Sequence, residues 1–250
     1  MYAGTLQTGL TDKQDHNLFY WLFKNTAVTD GPLIMWINGG PGASSMFGLF
    51  LENGPLRVKR AGAKLDEFEV NLATEGSWND YGDIFFLDQP VGTGFSHGTS
   101  PLLTTMEDGA EEVKNFLLKF YEMYPEYVNR KVILSGESYA GKYLPHIAAK
   151  FRTIDKVKDN LHAVLIGDPF TSPIRQRTST HLIAQGTGIT DPTLMHQVAA
   201  LRSQCENTMS KDWMAGASAC TQTMDYIDDM AGKLFTYDGT IFDEDWNRVE

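Results

Sequence analysis

The chain contains little cysteine, no long apolar run and fewer basic than acidic residues. Its 250 residues include two cysteines, and 21 lysines and arginines stand against 32 aspartates and glutamates, which gives a net charge of −11. A protein of this charge offers no basic surface to phosphate groups, so we expect no nucleic-acid partner. No apolar stretch reaches the roughly 18 residues of a membrane-spanning helix, so we also expect no membrane partner.

Several sequence motifs are missing as well. The first residues carry neither the basic nor the apolar region of a signal peptide, so the sequence shows no signal peptide. There is no H-E-x-x-H pattern and no cysteine pair at zinc spacing. The glycine-rich segment 91–96 lacks both phosphate-binding patterns. We therefore expect neither a metal nor a cofactor.

Five apolar runs have the length and composition of strands, and several are continuous, as in strands that are buried on both faces. Between the third and fourth runs, apolar residues recur at spacings of four and three, which predicts a helix that is capped by Thr105 and ends before Pro125. A further helix is expected after residue 138. This alternation indicates an α/β fold with a mostly parallel sheet, in which ligands bind beyond the carboxyl ends of the strands. The five runs are Leu18–Phe23, Leu33–Ile37, Ile84–Leu87, Val132–Leu134 and Ala163–Ile166.

After about residue 175 the pattern becomes helical. Asp191 and Pro192 are a cap and a first-turn proline, and two apolar stripes follow them. Cys205 lies on the first stripe and Cys220 on the second. These residues allow either two buried free thiols or a disulfide within a helical hairpin. The stripes comprise Leu194, Val198, Leu201 and Cys205, and then Trp213, Ala217, Cys220, Met224 and Ile227.

The segment Gly136-Glu137-Ser138-Tyr139-Ala140-Gly141 follows a predicted strand and precedes a predicted helix. It matches the G-x-S-x-G elbow, with alanine at the last position, and the elbow exposes a serine Oγ at the carboxyl edge of a sheet. A serine hydroxyl becomes a good nucleophile when a histidine takes its proton and an acidic residue holds that histidine. Ser138 is therefore the candidate nucleophile.

A second glycine-rich motif, Asn38-Gly39-Gly40-Pro41-Gly42, ends the predicted strand Leu33–Ile37. In hydrolases of this layout one oxyanion donor is the N–H of the residue after the nucleophile, and the other comes from the loop after an early strand. Tyr139 and Gly40 are the residues that we expect to supply these two N–H groups. Loss of one such donor raises the barrier by about 3 to 4 kcal/mol.

These motifs resemble the serine carboxypeptidase family over roughly the first 170 residues. The resemblance implies an α/β-hydrolase fold with a mostly parallel central sheet and a helical cap. We assign residues 1–175 to the N-terminal part of the core and 176–250 to the cap, with the rest of the core outside this chain. It also implies a lysosomal, vacuolar or secreted location. Further matching blocks are Tyr2–Gly4, Leu18–Trp21, Trp78-Asn79 and Leu87–Ser96.

The same resemblance implies that Asn38, Glu52 and Glu137 bind the C-terminal carboxylate of a peptide substrate. A carboxylic acid donates a hydrogen bond only while protonated, so this recognition works best at acidic pH. Each residue also has a structural interpretation. Glu137 can brace the elbow, Glu52 can be a surface residue before a turn, and Asn38 can hold its own loop.

The sequence does not identify the aspartate and the histidine of the triad. In this fold they follow the nucleophile in the order Asp or Glu, then His. In the family both come after the cap. His181 and His196 follow residue 170 without a supporting motif, and Asp168 fits a strand-end residue better than a triad member. We therefore expect this chain to be inactive alone and to depend on a second chain, or on further residues, for both groups.

Two other functions stay open. The same elbow serves acyltransferases and esterases, so the acceptor is not fixed by the serine. A catalytically incomplete chain could also act as a non-enzymatic binding protein.

Overall fold

The structure is a computed structural model that describes residues 1–11, 13–61, 67–99, 101–186, 188, 191–235 and 238–242. The chain divides into two compact units, Met1–Thr171 and Ser172–Glu250. The boundary predicted from the sequence lay between residues 175 and 176.

The first unit contains nine strands and two long helices among its described residues. The strands are β1 (Tyr2–Gln7), β2 (His16–Phe23), β3 (Leu33–Ile37), β4 (Leu56–Arg60), β5 (Phe68–Leu72), β6 (Asp83–Leu87), β7 (His97–Gly98), β8 (Val132–Glu137) and β9 (Leu161–Gly167). The helices are α1 (Met106–Met123) and α2 (Ala140–Phe151), with short helical turns at Gly48–Glu52, Trp78–Tyr81 and Pro125–Tyr127. All five predicted apolar runs lie within strands.

The main sheet has the order β1-β2-β6-β3-β8-β9, with β7 beside β2, and a separate hairpin pairs β4 with β5. Strands β6, β3, β8 and β9 run parallel to one another, whereas β2 is antiparallel to its neighbours. Such an arrangement is the mostly parallel central sheet expected from the alternation of apolar runs and helices. The carboxyl ends of β3, β8 and β9 consequently lie along one edge.

The two faces of the sheet are covered differently. Side chains alternate along a strand, so β3 directs Met35 towards α1 and α2, and Trp36 towards the opposite face. On that opposite face, within the first unit, the segment 46–56 packs against the strands together with Trp78. We call the face covered by α1 and α2 the helix face, and the face covered by segment 46–56 the loop face.

Helix α1 forms where the sequence predicted it. The Thr105 side chain accepts a hydrogen bond from the Asp108 N–H at 3.1 Å, which caps the first turn. Phe116 and Phe120 are fully buried on the helix face, and burying one such side chain contributes about 2 to 3 kcal/mol. Tyr124 is the C-cap of the helix, and Pro125 directly follows it, as expected.

A buried ion pair ties the start of β2 to α1. The Nδ1 atom of His16 contacts the carboxylate of Glu112, and its Nε2 lies 3.0 Å from the Thr99 carbonyl oxygen. Burial lowers the pKa of His16, but the hydrogen bonds to Glu112 and Thr99 outweigh it and raise the pKa overall. The pair joins residues that are 96 positions apart.

The second unit is mainly helical in its described residues. Its elements are α3 (Pro173–Thr178), α4 (Thr180–Gly186), α5 (Pro192–Met209), α6 (Trp213–Ala231), β10 (Leu234–Phe235) and β11 (Asp238–Phe242). Asp191 caps α5 by accepting from the N–H groups of Thr193 and Leu194. Among the described helices, none combines the length and the apolarity that crossing a membrane would require.

A disulfide between Cys205 and Cys220 joins α5 to α6. The sequence left two free thiols or a disulfide open, and the structure has the disulfide. The predicted stripe on α6 is partly wrong, because Met224 is 46% exposed while Thr223 is buried. Gly216 of α6 packs closely against Met209 of α5. A Cβ added to Gly216 would lie 2.4 Å from the Cα atom of Met209. This contact and the disulfide set the rotation of α6, and they turn Met224 outwards.

Breaking the disulfide should destabilise the second unit. The bond closes a loop between cysteines 15 residues apart, and a loop of that length contributes about 3 kcal/mol in the chain-entropy description. We expect reductant to raise the hydrogen-exchange rates of α5 and α6 accordingly. The double variant Cys205→Ser/Cys220→Ser should exchange like the reduced protein and be insensitive to reductant. Unchanged protection after reduction would contradict the expectation.

Candidate active site

Ser138 lies on a sharp turn between β8 and α2. Its backbone is left-handed, with φ of 55°, and its side chain is exposed. The N–H of Ser138 donates to the Gly167 carbonyl oxygen at 3.0 Å, and its own carbonyl accepts from the Gly141 N–H at 2.9 Å. A non-glycine residue adopts this backbone only where the surroundings enforce it. This is the geometry of the nucleophile elbow.

The first glycine of the elbow is required by a close approach of two strands. A Cβ added to Gly136 would lie 2.2 Å from the Ile37 carbonyl oxygen and 2.8 Å from the Ala140 Cβ. Ile37 is also the residue paired with Gly136 in the parallel register of β3 and β8. Glycine therefore allows the end of β3 to lie directly beside the turn that carries the serine.

The loop Asn38–Gly42 packs against this turn. A Cβ added to Gly39 would lie 2.5 Å from the backbone nitrogen of Tyr139. Neither the Gly40 N–H nor the Tyr139 N–H donates a hydrogen bond to the described part of the chain. Two free backbone donors beside an exposed serine Oγ can bind a developing oxyanion.

Asn38 is 1% exposed and its amide has a fixed orientation. The Oδ1 atom accepts from the Trp36 Nε1–H at 2.8 Å and from the Gly48 N–H at 3.1 Å. The amide nitrogen is thereby directed towards two carboxyl groups, 3.1 Å from Glu137 Oε1 and 3.3 Å from Glu52 Oε1. The three residues predicted to bind a carboxylate thus form one cluster next to Ser138.

Glu52 supplies one of the two carboxyl groups of this cluster. It ends the helical turn Gly48–Glu52 and is partly buried. Burial, followed by the charge of Glu137, raises the pKa of Glu52 to about 7, although the hydrogen bond from Asn38 opposes the shift. Glu52 is therefore protonated in mildly acidic solution, where it acts as a hydrogen-bond donor.

Asp88 directly follows β6, and its carboxylate stabilises the glycine-rich loop that follows β3. Asp88 Oδ2 accepts from the Phe95 N–H at 2.8 Å. Asp88 Oδ1 additionally accepts from Ser44 Oγ at 2.7 Å and from the Ser45 N–H at 2.8 Å. Ser45 Oγ accepts in turn from the Asn38 N–H at 3.1 Å. The buried carboxylate of Asp88 thus supports the loop that carries Asn38 and Gly40.

No histidine ring hydrogen-bonds to Ser138 in the described part of the chain. Asp168 directly follows Gly167, which accepts from the Ser138 N–H, and the side chain of Asp168 is exposed. Four histidines contact other groups: His16 contacts Glu112, His97 contacts the Phe95 carbonyl, His146 contacts Glu107 and His181 contacts Arg202. The other two, His162 and His196, are exposed.

No group of three or more potential metal ligands of the His, Cys, Asp or Glu type occurs among the residues that the structure describes. The expectations about metals and cofactors therefore remain predictions from the sequence.

A parallel sheet with an exposed serine on a strand-to-helix turn, facing a glycine-rich loop, defines the chain as an α/β-hydrolase. The serine carboxypeptidase family model matches residues 1–244, and the chain belongs to that family. Among solved structures, the prohormone-processing carboxypeptidase KEX1(delta)p of Saccharomyces cerevisiae has a TM-score of 0.76 and 32% identity, and the match covers 90% of this chain and 52% of that chain.

Two curated relatives show the same relationship. The pheromone-processing carboxypeptidase KEX1 of Phaeosphaeria nodorum is 39% identical over 184 residues, which is 70% of this chain and 27% of the relative. The protein of the same name from Ogataea parapolymorpha is 35% identical over 218 residues, which is 84% of this chain and 34% of the relative. The chain thus spans about a third of the length of these relatives.

We predict that Asp88→Asn destabilises the chain by about 1 to 3 kcal/mol, because the amide keeps one acceptor oxygen for the three donors of Ser44, Ser45 and Phe95. Urea unfolding measures the loss. The control is Asp155→Asn, since Asp155 is 93% exposed in its ion pair with Lys158 and its substitution should change stability less than Asp88→Asn does. Equal effects of the two substitutions would show that the network around Asp88 is not a structural anchor.

Proposed function

We propose that the protein is a serine-type carboxypeptidase that releases C-terminal residues from peptides. The observation that carries this proposal is the cluster of Asn38, Glu52 and Glu137 beside Ser138. An elbow serine alone is compatible with many acyl-transfer reactions. A fixed amide donor and a protonated carboxyl group next to the serine are suited to one particular substrate feature, a free carboxylate.

In the proposed reaction, Ser138 Oγ attacks the carbonyl carbon of the last peptide bond. The N–H groups of Gly40 and Tyr139 bind the oxyanion of the tetrahedral intermediate. The C–N bond then breaks, the leaving nitrogen accepts a proton, and the C-terminal residue departs with a free amine. The shortened peptide remains as an ester on Ser138 until water attacks the same carbonyl. This second step restores the serine hydroxyl and releases the shortened peptide with a new carboxylate.

The general base must be supplied by groups other than those described around Ser138. In the first unit the rings of His16, His97 and His146 contact other partners, and His162 is exposed without a hydrogen bond to Ser138. We propose that an aspartate and a histidine come from a second polypeptide or from further residues of a longer chain. The 250-residue chain by itself should then bind peptides without hydrolysing them.

The proposed location is a lysosomal, vacuolar or secreted compartment. A disulfide persists in oxidising compartments, in agreement with the Cys205–Cys220 bond. A Glu52 pKa of about 7 favours carboxylate binding at acidic pH, in agreement with a vacuolar or lysosomal environment.

We predict that Ser138→Ala lowers kcat/KM for C-terminal release by about 10⁴-fold or more in the full-length protein. A substrate with an amidated C-terminus should react about 10- to 100-fold more slowly with the unmodified enzyme, since it lacks the carboxylate. Mass spectrometry of the products measures both effects.

The exposed Ser210, substituted as Ser210→Ala, is the control for the first effect, and the 250-residue chain alone is the negative control. Undiminished release by Ser138→Ala would contradict the assignment of the nucleophile. Equal rates on free and amidated peptides would contradict carboxylate recognition, and acyl transfer from an acyl glucose without peptide hydrolysis would favour the acyltransferase alternative.

A second prediction concerns pH and the binding of a free C-terminus. In a Ser138→Ala background, the dissociation constant of a peptide should rise about tenfold between pH 6 and pH 8, because Glu52 loses its proton as the pH rises through about 7 and the ionised group repels the substrate carboxylate. Adding Glu52→Gln should flatten this rise, since an amide donates a hydrogen bond at any pH.

Isothermal titration with a free peptide and with its amidated form measures the effect. Glu122→Gln, at an exposed glutamate near the end of α1, is the matched control and should retain the rise. An identical pH dependence with and without Glu52→Gln would rule out Glu52 as the titrating donor.

A further inference from the structure

The buried pair of His16 and Glu112 holds a proton that the proposed reaction does not use. Both side chains are at most 1% exposed. One ring nitrogen of His16 faces the Glu112 carboxylate, and the other lies 3.0 Å from the Thr99 carbonyl oxygen. A neutral imidazole donates one hydrogen bond, whereas an imidazolium donates two. The two oxygens therefore select the protonated ring.

Glu112 depends on the same proton. Its second carboxylate oxygen, Oε2, is buried and has no hydrogen-bond partner among the described residues. A neutral His16 ring keeps one N–H, so it leaves either Glu112 or the Thr99 carbonyl without a donor. A buried charge that loses its partner is strongly destabilising. Loss of one proton consequently breaks the contact between His16 and one of its two neighbours.

Other charged groups around the pair do not replace this proton. Burial raises the pKa of Glu112 and the contact with His16 opposes this shift, while the charge of Asp108, one turn earlier on α1, adds to it. Asp15 precedes His16, and His97 lies on the neighbouring β7; both side chains are exposed. In the described part of the chain, no lysine or arginine forms an ion pair with Glu112.

His16 joins the chain on both sides of segment 101–105. Thr99 precedes this segment, and Glu112 belongs to α1, which follows it. The Thr99 N–H also donates to the Asp15 carbonyl at 3.3 Å. Segment 101–105 contains no helix or strand, and four of its five residues are exposed. Few buried contacts hold a segment of this kind, so its position depends on the contacts at its two ends.

The same segment forms part of the wall of an apolar cavity of about 170 Å³. The walls also include Pro41, which follows Gly40, and Tyr139, which follows Ser138. Both proposed oxyanion donors thus lie on or directly beside the walls that segment 101–105 helps to form. Such donors act best when they are fixed and water is excluded, so withdrawal of the segment should lower the rate. The lining residues of the segment are Leu103, Thr104 and Thr105.

We propose that His16 is a positioning residue whose proton holds segment 101–105 in place at this cavity, and that the segment opens when the proton is lost at higher pH. Burial lowers the pKa of His16, but the hydrogen bonds to Glu112 and Thr99 outweigh it and raise the pKa overall. The segment is therefore held fully below the ordinary histidine pKa of about 6.5, and this hold is lost as the pH rises through the raised pKa of the closed state. The effect on catalysis rests on the proposed function, whereas the proton and the movement do not.

The ring itself provides the first test. Nitrogen-15 shifts of the His16 ring, measured in the labelled 250-residue chain, show whether both ring nitrogens carry a proton. We expect His16 to keep both protons up to a higher pH than the histidines of the same chain unfolded in urea. Loss of the His16 proton at the same pH as in the unfolded chain would overturn the proposal.

Hydrogen exchange measures the movement at both ends of the segment. The Thr99 N–H bonds to Asp15, and the Gly109 N–H bonds to the Thr105 carbonyl, so both amides report on its opening. After correction for intrinsic exchange, their opening should increase by up to about tenfold per pH unit between pH 6.5 and pH 8.5, since one proton is released. Unchanged opening over this range would contradict the proposed movement.

A double variant removes the titrating pair and keeps its hydrogen-bonding groups. In His16→Gln/Glu112→Gln neither side chain titrates, so the opening should not depend on pH. The matched control is His146→Gln/Glu107→Gln, which removes an exposed His–Glu contact between α2 and α1 and should retain the dependence. The same pH dependence in the first double variant as in the unmodified chain would rule out the His16 proton as its cause.

In the full-length enzyme the same change should alter the pH profile of catalysis. The comparison is made with Glu52→Gln present throughout, so that Glu52 does not titrate. Between pH 6.5 and pH 8.5, kcat/KM for C-terminal release should fall about three- to tenfold more with His16 and Glu112 present than in the double variant. Equal falls would overturn the positioning role alone. Absence of C-terminal release by the unmodified full-length enzyme would overturn the proposed function, while the ring titration and hydrogen exchange would still decide the proton and the movement.

Discussion

Strands β3 and β8 run parallel with Ile37 opposite Gly136, and this pairing positions the residues at the ends of both strands. Asn38 directly follows β3 and Glu137 is the last residue of β8, so their side chains meet at the same edge of the sheet. A shift of one residue in this register would turn one of the two side chains to the other face. The absence of a Cβ on Gly136 permits the close contact, since any larger residue would collide with the Ile37 carbonyl.

Hydrogen bonds then set the orientation of the groups that this register brings together. Trp36 and Gly48 occupy the oxygen of the Asn38 amide, which leaves the nitrogen for the two glutamates. Asp88, through Ser45, holds the backbone of the same loop. Because Asn38, Ser45 and Asp88 are buried, these bonds hold the loop in place before a substrate binds. The proposed chemistry thus depends on a polar network that the fold completes before any ligand arrives.

Much of the first unit could be predicted because its signals are local. Continuous apolar runs marked β3 and β6, and Thr105 marked the start of α1 through its capping side chain. The stripe on α6 was harder, because its rotation depends on contacts of Gly216 and Cys220 with α5 rather than on its own periodicity. The ion pair of His16 with Glu112 had no local signal, since its members lie 96 residues apart.

The sequence by itself determined the order of five strands of the main sheet and of helices α1 and α2, the elbow around Ser138 and the presence of a glycine-rich loop, because each follows from residue types at short spacing. It also led to the family to which the chain belongs. The tertiary structure alone decided that Asn38 contacts both glutamates, that Asp88 supports the loop, and that an apolar cavity lies beside Tyr139. These features join residues that are distant in the chain, and their geometry arises only when the strands pair and the side chains pack.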